Sequence, residues 1–212
     1  MIIAVDGPAA SGKGTLAAGL AAHYGLPLLD TGLLYRAVGR AVDGCEDRPD
    51  FADLAIAAAR GLDAAALDAD GLDSQHYGNL ASKIAVIGPV RAALFDFQRA
   101  FATRPGGAVL DGRDIGTRIA PDADVKLFIK ADSKARMERR ARQFEARGLP
   151  VDRYALYHQI EERDARDMAN PYGGFFPAPD AHVIDTTSLD IAGALGAAIA
   201  IVERVMAARR RP

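Results

Sequence analysis

The chain has 212 residues, of which 50% are hydrophobic and 25% charged, and its formal net charge is −2. These values are typical of a globular domain and exclude a chain that is disordered throughout. The balanced charge argues against a broad basic surface for nucleic acid, and the single cysteine, Cys45, excludes an internal disulfide and a multi-cysteine zinc site. The longest weakly polar run, Ile191–Val202, is shorter than the ~20 residues of a bilayer span, and residues 1–6 lack the basic start of a signal peptide. We therefore expect a cytoplasmic protein without a membrane segment.

The predicted elements alternate between short strands and helices along the chain. Strands are expected at residues 2–6, 27–30, 107–111, 124–131 and 182–185. Helices are expected at residues 15–24, 33–42, 80–101 with a break near Gly88-Pro89, 133–147, 152–168 and 190–209, with short helical pieces over 50–67 and a polar, poorly patterned stretch over 68–77. This alternation predicts an α/β fold, a doubly wound parallel sheet of five strands with insertions after the second and fourth strands.

The strongest motif follows the first strand and has the spacing of a phosphate-binding P-loop, a glycine, four residues and then Gly-Lys. The residues that we assign to ATP from this motif are Gly7, Pro8, Ala9, Ala10, Ser11, Gly12, Lys13, Gly14 and Thr15. Glycines let successive N–H groups face phosphate oxygens, the following helix adds its dipole, and Lys13 supplies a mobile cation. Gly14 separates Lys13 from Thr15, and Gly-Lys-Gly-Thr resembles nucleoside monophosphate kinases rather than GTPases or motor ATPases.

A second polar segment, Asp30–Arg36, follows the second strand. In a parallel α/β sheet, ligands lie beyond the carboxyl ends of the strands. We therefore expect Thr31, Tyr35 and Arg36 beside the P-loop, with Arg36 on the phosphate of an acceptor. The spacing alone is equally consistent with a capped helix that exposes its arginine.

A third polar segment begins at Asp111, where an apolar strand ends. An aspartate at this place beside a P-loop is typical of a carboxylate that organises Mg²⁺, so we predict a metal site at Asp111, through water, with Thr15. Arg113 and Asp114 are expected to face the cleft, where arginine can bind a phosphate and aspartate can accept from a base or sugar. A polar turn held by Asp–Arg pairs is the alternative.

Arginines recur on the two charged helices of the second half of the chain. Arg136, Arg139 and Arg140 are spaced to share one helix face, and Arg163 and Asp167 lie on the next helix. The charge pattern by itself favours a solvated face with i,i+4 ion pairs. Phosphoryl transfer, however, requires cations around the moving group, which favours a functional role.

Five motifs in chain order resemble the bacterial cytidylate kinase family over nearly the whole chain. They are Gly-Pro-Ala-Ala-Ser-Gly-Lys-Gly-Thr (7–15), Asp-Thr-Gly-Leu-Leu-Tyr-Arg (30–36), Asp-Gly-Arg-Asp-Ile-Gly-Thr (111–117), Gln-Phe-Glu-Ala-Arg-Gly (143–148) and Glu-Arg-Asp-Ala-Arg-Asp (162–167). The resemblance implies one P-loop kinase domain, with a core at 1–40, 102–131 and 181–212, a nucleoside monophosphate (NMP)-binding insert at about 41–101 and a helical lid at about 132–175. It implies phosphoryl transfer from ATP, with Mg²⁺, to CMP and dCMP in pyrimidine nucleotide metabolism.

The resemblance also implies roles for individual residues. At the acceptor it implies Thr31, Tyr35, Arg36, Ser82, Arg91, Arg113, Asp114, Arg163 and Asp167, of which Ser82 and Arg91 match residues that read cytosine. In catalysis it implies Lys13, Arg113, Arg163 and Asp167, and from the lid it implies arginines of the 136–147 region, among which we assign Arg139 to ATP. Asn170 stands where the family has an arginine that helps bind the cytosine side, and Asp73 stands where it has an arginine in the insert. These departures leave the preference for CMP over UMP open.

Two other functions stay open from the sequence. A P-loop kinase with another acceptor, such as UMP or shikimate, is distinguished by the Ser82, Arg91 and Asp114 set, which suits an aminopyrimidine and not a carbocycle. A non-enzymatic ATP-binding or RNA-binding module is disfavoured by the net charge and by the set of Lys13, Asp111 and arginines. The expected partners are small nucleotides and no nucleic acid, and we expect a monomer because no dimer seam is evident.

Overall fold

The fold is built on a five-stranded parallel sheet, in a computed structural model that describes residues 1–63, 67, 71–172 and 174–210. The strands are β1 (Ile2–Asp6), β2 (Leu28–Asp30), β3 (Ala108–Gly112), β4 (Val125–Lys130) and β5 (His182–Asp185), in the order β2-β3-β1-β4-β5. β1 is central and pairs with β3 on one side and β4 on the other. The predicted α/β fold with a five-stranded parallel sheet is confirmed.

Helices cover both faces of the sheet, which explains why the strands are short and apolar. The helices are α1 (Lys13–Tyr24), α2 (Thr31–Ala41), α3 (Phe51–Arg60), α4 (Gln75–Ile84), α5 (Gly88–Ala102), α6 (Ser133–Glu145), α7 (Arg153–Met168) and α8 (Ile191–Arg209). Side chains alternate along a strand, so Ile3 and Val5 pack with α1 and α8 on one face, and Ala4 packs with α2 to α5 on the other.

Helices α6 and α7 pack mainly on each other rather than on the sheet. Their small apolar cluster contains Met137, Ala141, Leu156 and Ile160. They occupy the region predicted as a lid, and α3 to α5 occupy the region predicted as an NMP-binding insert. The division of the chain into core, insert and lid stays a prediction.

The prediction of a poorly patterned stretch over 68–77 is wrong at the carboxyl end of that range. Helix α4 begins at Gln75, and the Ser74 hydroxyl caps it by accepting a hydrogen bond from the Tyr77 N–H at 3.3 Å. A serine before a helix is a recognised capping signal, although the polar residues around Ser74 conceal it. Residues 64–66 and 68–70, which belong to the predicted insert, lie outside the described residues.

Helix α8 extends beyond the weakly polar run 191–202 and matches the helix predicted over 190–209. It has 19 residues and a mean hydropathy of 1.7, so by length and composition alone it could cross a membrane. Ala194, Ala198 and Val202 on one of its faces are buried against α1 and the sheet. This packing is what a core helix of an α/β domain requires.

Leu110 provides a test of the packing around the sheet. Its side chain is fully buried in β3, so Leu110→Ala should reduce the free energy of unfolding by about 2–5 kcal/mol, as measured by urea denaturation. Leu149, in the turn between α6 and α7, is 50% exposed. Leu149→Ala should change the free energy of unfolding by less than ~0.5 kcal/mol. Equal losses in the two variants would contradict the described core.

Candidate active site

The three polar segments meet at the carboxyl edge of the sheet because the strands that precede them are neighbours. The register pairs Asp6 of β1 with Gly112 of β3, and Asp30 of β2 with Asp111 of β3. The P-loop, the start of α2 and the segment after β3 therefore lie side by side. This arrangement places the residues predicted for the two nucleotides around one cleft.

The P-loop has a backbone that two of its glycines make possible. Gly7 has a φ of 150°, and a Cβ at this position would overlap the carbonyl oxygen of Ile129. Gly12 has a φ of 89° and directly precedes α1, whose first residue is Lys13. The amino end of α1 therefore faces the cleft, as anion binding requires.

Lys13 and Asp111 form a nearly buried ion pair. Lys13 Nζ lies 3.3 Å from Asp111 Oδ1, and the side chains are 14% and 3% exposed. Burial lowers the pKa of Lys13 and raises the pKa of Asp111, and the attraction between the two groups opposes both shifts. The pair holds Lys13 at the mouth of the loop until a phosphate competes for it.

The position of Asp111 explains Gly14 and fits a metal site. A Cβ at Gly14 would lie 3.1 Å from Asp111 Oδ2, so a larger residue would press on the carboxylate. Asp111 Oδ1 is buried and forms the ion pair with Lys13, but it accepts no hydrogen bond from the residues that the structure describes. A carboxylate oxygen of this kind suits Mg²⁺ or a water bound to it. Thr15, the other residue predicted for the metal, lies in the first turn of α1 and is exposed.

Asp6 is a buried carboxylate at the end of β1 that sequence reasoning missed. Asp6 Oδ1 and Oδ2 accept hydrogen bonds from the N–H groups of Ile115 and Gly116, each at 2.8 Å. Burial raises the pKa of Asp6 to about 7, although the two N–H donors act in the opposite direction. These N–H groups belong to a single π-helical turn, Ile115–Ile119, and such turns are frequent at functional sites.

One cavity brings together all the residues predicted for the acceptor. It lies between α2, α4, α5, α7 and the segment after β3, and its lining includes Lys13, Thr31, Tyr35, Arg36, Ser82, Arg91, Arg113, Asp114, Arg163 and Asp167. Asn170, which stands where the resemblance has an arginine, also lines it, and so does Gln98, which was not predicted to do so. The structure thus gathers the predicted set, whose individual roles stay predictions.

At one end of the cavity the charges are paired. Arg91 forms an ion pair with Asp114, and the two side chains are 13% and 8% exposed. The Arg91 guanidinium also lies 5.8 Å from the centroid of the Tyr35 ring. Burial raises the pKa of Asp114, and Arg91 opposes that rise. A planar, polar base fits an end that offers an aromatic ring together with a donor and an acceptor.

Asp167 connects three elements at the side of the cavity. Its Oδ1 accepts a hydrogen bond from the Ser82 hydroxyl at 2.7 Å, and its Oδ2 accepts one from Arg113 Nε at 3.2 Å. Arg163 Nε lies 3.8 Å from the same Oδ2. Burial alone would raise the pKa of Asp167, but the two arginines and Ser82 lower it, so the carboxylate stays ionised.

At the other end of the cavity the charges are not balanced. Arg36, Arg113, Arg140 and Arg163 converge on the P-loop backbone at 9–10. Burial and Arg113 lower the pKa of Arg163 to about 10, and its Nε has no hydrogen-bond partner among the described residues. These four guanidinium groups outnumber their carboxylate partner Asp167, which Arg113 and Arg163 share, and such an excess of arginine can bind phosphate oxygens.

Gly78 lets two of these arginines approach each other. A Cβ at Gly78 would lie 3.1 Å from both Arg36 Nη2 and Arg163 Nη1. Arg36 also donates to the carbonyl oxygens of Leu72 and Ser74, at 2.7 and 2.9 Å. The loop before α4 therefore orients Arg36, a contact that the motif 30–36 does not indicate.

The arginines of α6 have different surroundings. Arg139 Nη1 donates to the Ser11 carbonyl at 3.3 Å and to the Thr186 hydroxyl at 3.0 Å, beside a second cavity that Thr15 also lines. Arg136 is buried and forms an ion pair with Asp164 at 2.5 Å, which is not the solvated face that the charge pattern favours. Arg140 lines the arginine cluster described above.

At the surface, Arg147 pairs with Asp73, which stands where the resemblance has an arginine. The pair joins the end of α6 to the loop before α4. Both side chains are more than half exposed, so its contribution to stability is small.

The site combines a parallel sheet with a P-loop after its central strand, two cavities beside that loop and an arginine cluster between the two cavities. Together these features define a P-loop phosphotransferase. The family model described as "Cytidylate kinase" matches residues 3–204. Proteins named cytidylate kinase from Rhodopseudomonas palustris strain HaA2 and from Methylocella silvestris are 54% and 55% identical to this chain. The alignments cover 100% of both chains in the first case, and 96% of this chain and 94% of the relative in the second. The chain belongs to the cytidylate kinase family and is a kinase.

The fold is also found in a solved structure, that of an uncharacterized protein from Eubacterium ventriosum. The two superpose with a TM-score of 0.55 at 19% identity, over 96% of this chain and 98% of that chain. At this level of identity the likeness supports the fold alone.

The pH dependence of stability should reveal the buried Asp6. Its pKa is about 7 in the folded protein against an ordinary value of 3.8, so the folded state binds the proton more tightly than the unfolded state. Asp6 should therefore make the free energy of unfolding decrease as the pH rises from about 4 to about 7, by at most ~1.4 kcal/mol per pH unit. Urea denaturation between about pH 5 and pH 8 measures this slope. Asp6→Asn should be less steep than the wild type, and equal slopes would contradict the assignment.

Proposed function

We propose that the protein transfers the γ-phosphoryl group of ATP to CMP and dCMP, with CDP and dCDP as products. The observation that carries the proposal is the acceptor cavity, whose paired charges suit a base at one end. At its other end, Arg36, Arg113 and Arg163 also line a smaller cavity beside the P-loop, where arginines outnumber carboxylates. Membership of the cytidylate kinase family supports the same reaction. A kinase acting on UMP or another acceptor has no observation in its favour here.

The donor nucleotide is held by the P-loop in this proposal. The N–H groups of residues 7–15 and the amino end of α1 bind the phosphates, and Lys13 neutralises the outer ones. Arg139 borders the cavity on the α8 side, where the rest of ATP would lie. Asp111, through water, and Thr15 would hold Mg²⁺. When bound, Mg²⁺ would offset negative charge on the transferred phosphoryl group.

The acceptor is held at two ends. Ser82, Arg91 and Asp114 offer donors and acceptors to an aminopyrimidine, with Tyr35 beside them. Asp167 lies where it can bind a sugar hydroxyl, and Thr31 donates its own hydroxyl hydrogen to the Asp111 carbonyl at 2.8 Å. The acceptor phosphate binds among the arginines Arg36, Arg113 and Arg163.

The reaction requires positioning and charge neutralisation more than acid–base chemistry. The attacking oxygen belongs to the acceptor phosphate, which is already ionised at neutral pH, so no general base has to remove a proton. It forms a bond to the γ-phosphorus as the bond from γ-phosphorus to the bridging oxygen breaks, and ADP leaves. Lys13, Arg113 and Arg163 surround the point of transfer and stabilise its charge. Closure of α6 and α7 over the cleft would exclude water, which otherwise competes as an acceptor.

Further proposals concern the surroundings of the enzyme. We propose that the protein is cytoplasmic and monomeric, that its partners are small nucleotides, and that it acts without nucleic acid and away from membranes. The net charge of −2 and the packing of α8 on the sheet support these proposals.

A coupled assay of ADP release tests the acceptor. With ATP and Mg²⁺, CMP and dCMP should turn over fastest in a panel that also contains UMP, AMP, GMP and shikimate, because the base end offers both a donor and an acceptor. If UMP or AMP were faster, phosphoryl transfer would stand, but the assignment of Ser82, Arg91 and Asp114 to cytosine would be wrong.

Removal of the P-loop cation tests the donor site. Lys13→Ala should reduce kcat by about 10²-fold or more, because it removes the cation at the amino end of α1 that neutralises the outer phosphates of ATP in this proposal. Circular dichroism should show that the fold is retained. Lys134, exposed on α6, provides a matched control, and Lys134→Ala should leave kcat within about twofold. Near-normal turnover of Lys13→Ala would refute the P-loop assignment.

A further inference from the structure

The segment 170–172, which follows α7, is bonded to the junction between α4 and α5. Asn170 Nδ2 donates a hydrogen bond to the carbonyl oxygen of Ala85 at 3.0 Å, and Asn170 Oδ1 accepts one from the Tyr172 N–H at 2.9 Å. Ala85 caps the carboxyl end of α4, where carbonyl groups lose their helical partners. The Asn170 amide satisfies one of these groups, and both of its polar atoms are used.

The same segment touches the junction at a second point. Tyr172 packs on Gly88, the first residue of α5, so closely that a Cβ at Gly88 would lie 2.7 Å from Tyr172 Cζ. The glycine is therefore required for this approach. The two contacts hold the junction from either side of the short connection 85–88.

The junction positions the two side chains proposed to read the base. Ser82 lies one turn before Ala85 on α4, and Arg91 lies one turn after Gly88 on α5. Both line the acceptor cavity, as do Ala85 and Asn170 themselves. A shift of the junction would therefore move Ser82 and Arg91 together, and would disturb their bonds to Asp167 and Asp114.

We infer that Asn170 is a positioning residue for the acceptor base, which acts by fixing the α4–α5 junction through the Ala85 carbonyl. The inference rests on the proposed function. Asn170 does not line the cavity beside the P-loop and α8, nor the arginine cluster. Its loss should therefore weaken acceptor binding without affecting ATP binding or the transfer step.

Asn170→Asp is the sharpest variant, because it changes one atom. The carboxylate still accepts from the Tyr172 N–H, but it cannot donate to the Ala85 carbonyl and repels it. We expect KM for CMP to rise about tenfold, with KM for ATP and kcat within about twofold of the wild type. Asn170→Ala, which removes the bond without adding charge, should raise KM for CMP in the same direction by a smaller factor.

The chain offers a matched control in its other asparagine, Asn79 on α4. Its Oδ1 accepts from Gln75 Nε2 at 3.2 Å, a bond that Asn79→Asp retains. This variant adds the same charge on α4, the helix whose carboxyl end Asn170 contacts, and should leave KM for CMP within about twofold.

The outcomes separate the inference from the function on which it rests. A wild-type enzyme that does not phosphorylate CMP would refute the proposed function. An active wild type with an unchanged KM for CMP in Asn170→Asp would refute the inference alone, as would an equal rise in KM for ATP. If KM for CMP rose in Asn170→Asp but not in Asn170→Ala, the effect would come from the added charge alone, and the inference would be refuted as well. If Asn170→Asp does not fold, the same comparison with Asn170→Ala decides.

Discussion

The active site depends on a buried carboxylate that joins two neighbouring strand ends. Asp6 ends the central strand β1, and its two oxygens bind the N–H groups of Ile115 and Gly116 in the segment after β3. The P-loop starts at the next residue after Asp6, and Asp111 to Asp114 directly precede the bonded N–H groups. One side chain therefore fixes the P-loop strand relative to the carboxylates and the arginine of the acceptor site. Burial raises the pKa of Asp6, and the two backbone donors reduce the cost of burying its carboxylate because both oxygens are hydrogen-bonded.

Two glycines of the site are required because charged side chains lie close to the backbone there. Gly14 leaves room for Asp111, and Gly78 leaves room for Arg36 and Arg163, so functional side chains take the space that a Cβ would occupy. This requirement explains why the P-loop has a third glycine, Gly14, between its lysine and its threonine. Close approach of backbone to charged groups, rather than turn geometry, is the reason for both residues.

The fold and the meeting of the first three motifs could be predicted from sequence because these motifs follow strands directly. Ser82, Arg91, Arg163 and Asp167 lie on helices, and their assignment to the acceptor came from the family resemblance. Once β1, β2 and β3 are adjacent, local spacing brings Lys13, Arg36 and Arg113 together. Contacts between remote segments could not be predicted in this way. Asp6 bonds to residues 109 and 110 positions away, and Asn170 bonds to Ala85 across 85 positions, with no periodic pattern to indicate either. The burial of Arg136 was not predicted for a similar reason, since its partner Asp164 lies on another helix.

The distribution of charge along the acceptor cavity gives a physical reason for the orientation in which a nucleotide would bind there. At the base end, Arg91 is neutralised by Asp114, so that end offers hydrogen bonds with little net field. At the P-loop end, Arg36, Arg113, Arg140 and Arg163 exceed the nearby carboxylates, and their mutual repulsion contributes to the lowered pKa of Arg163. An acceptor phosphate relieves this repulsion only when it lies beside the P-loop. The reverse orientation would place a dianion against Asp114 and leave the arginines unbalanced. In the proposed function, electrostatics would thus direct the phosphate to the point of transfer, and the base end would only have to discriminate between bases.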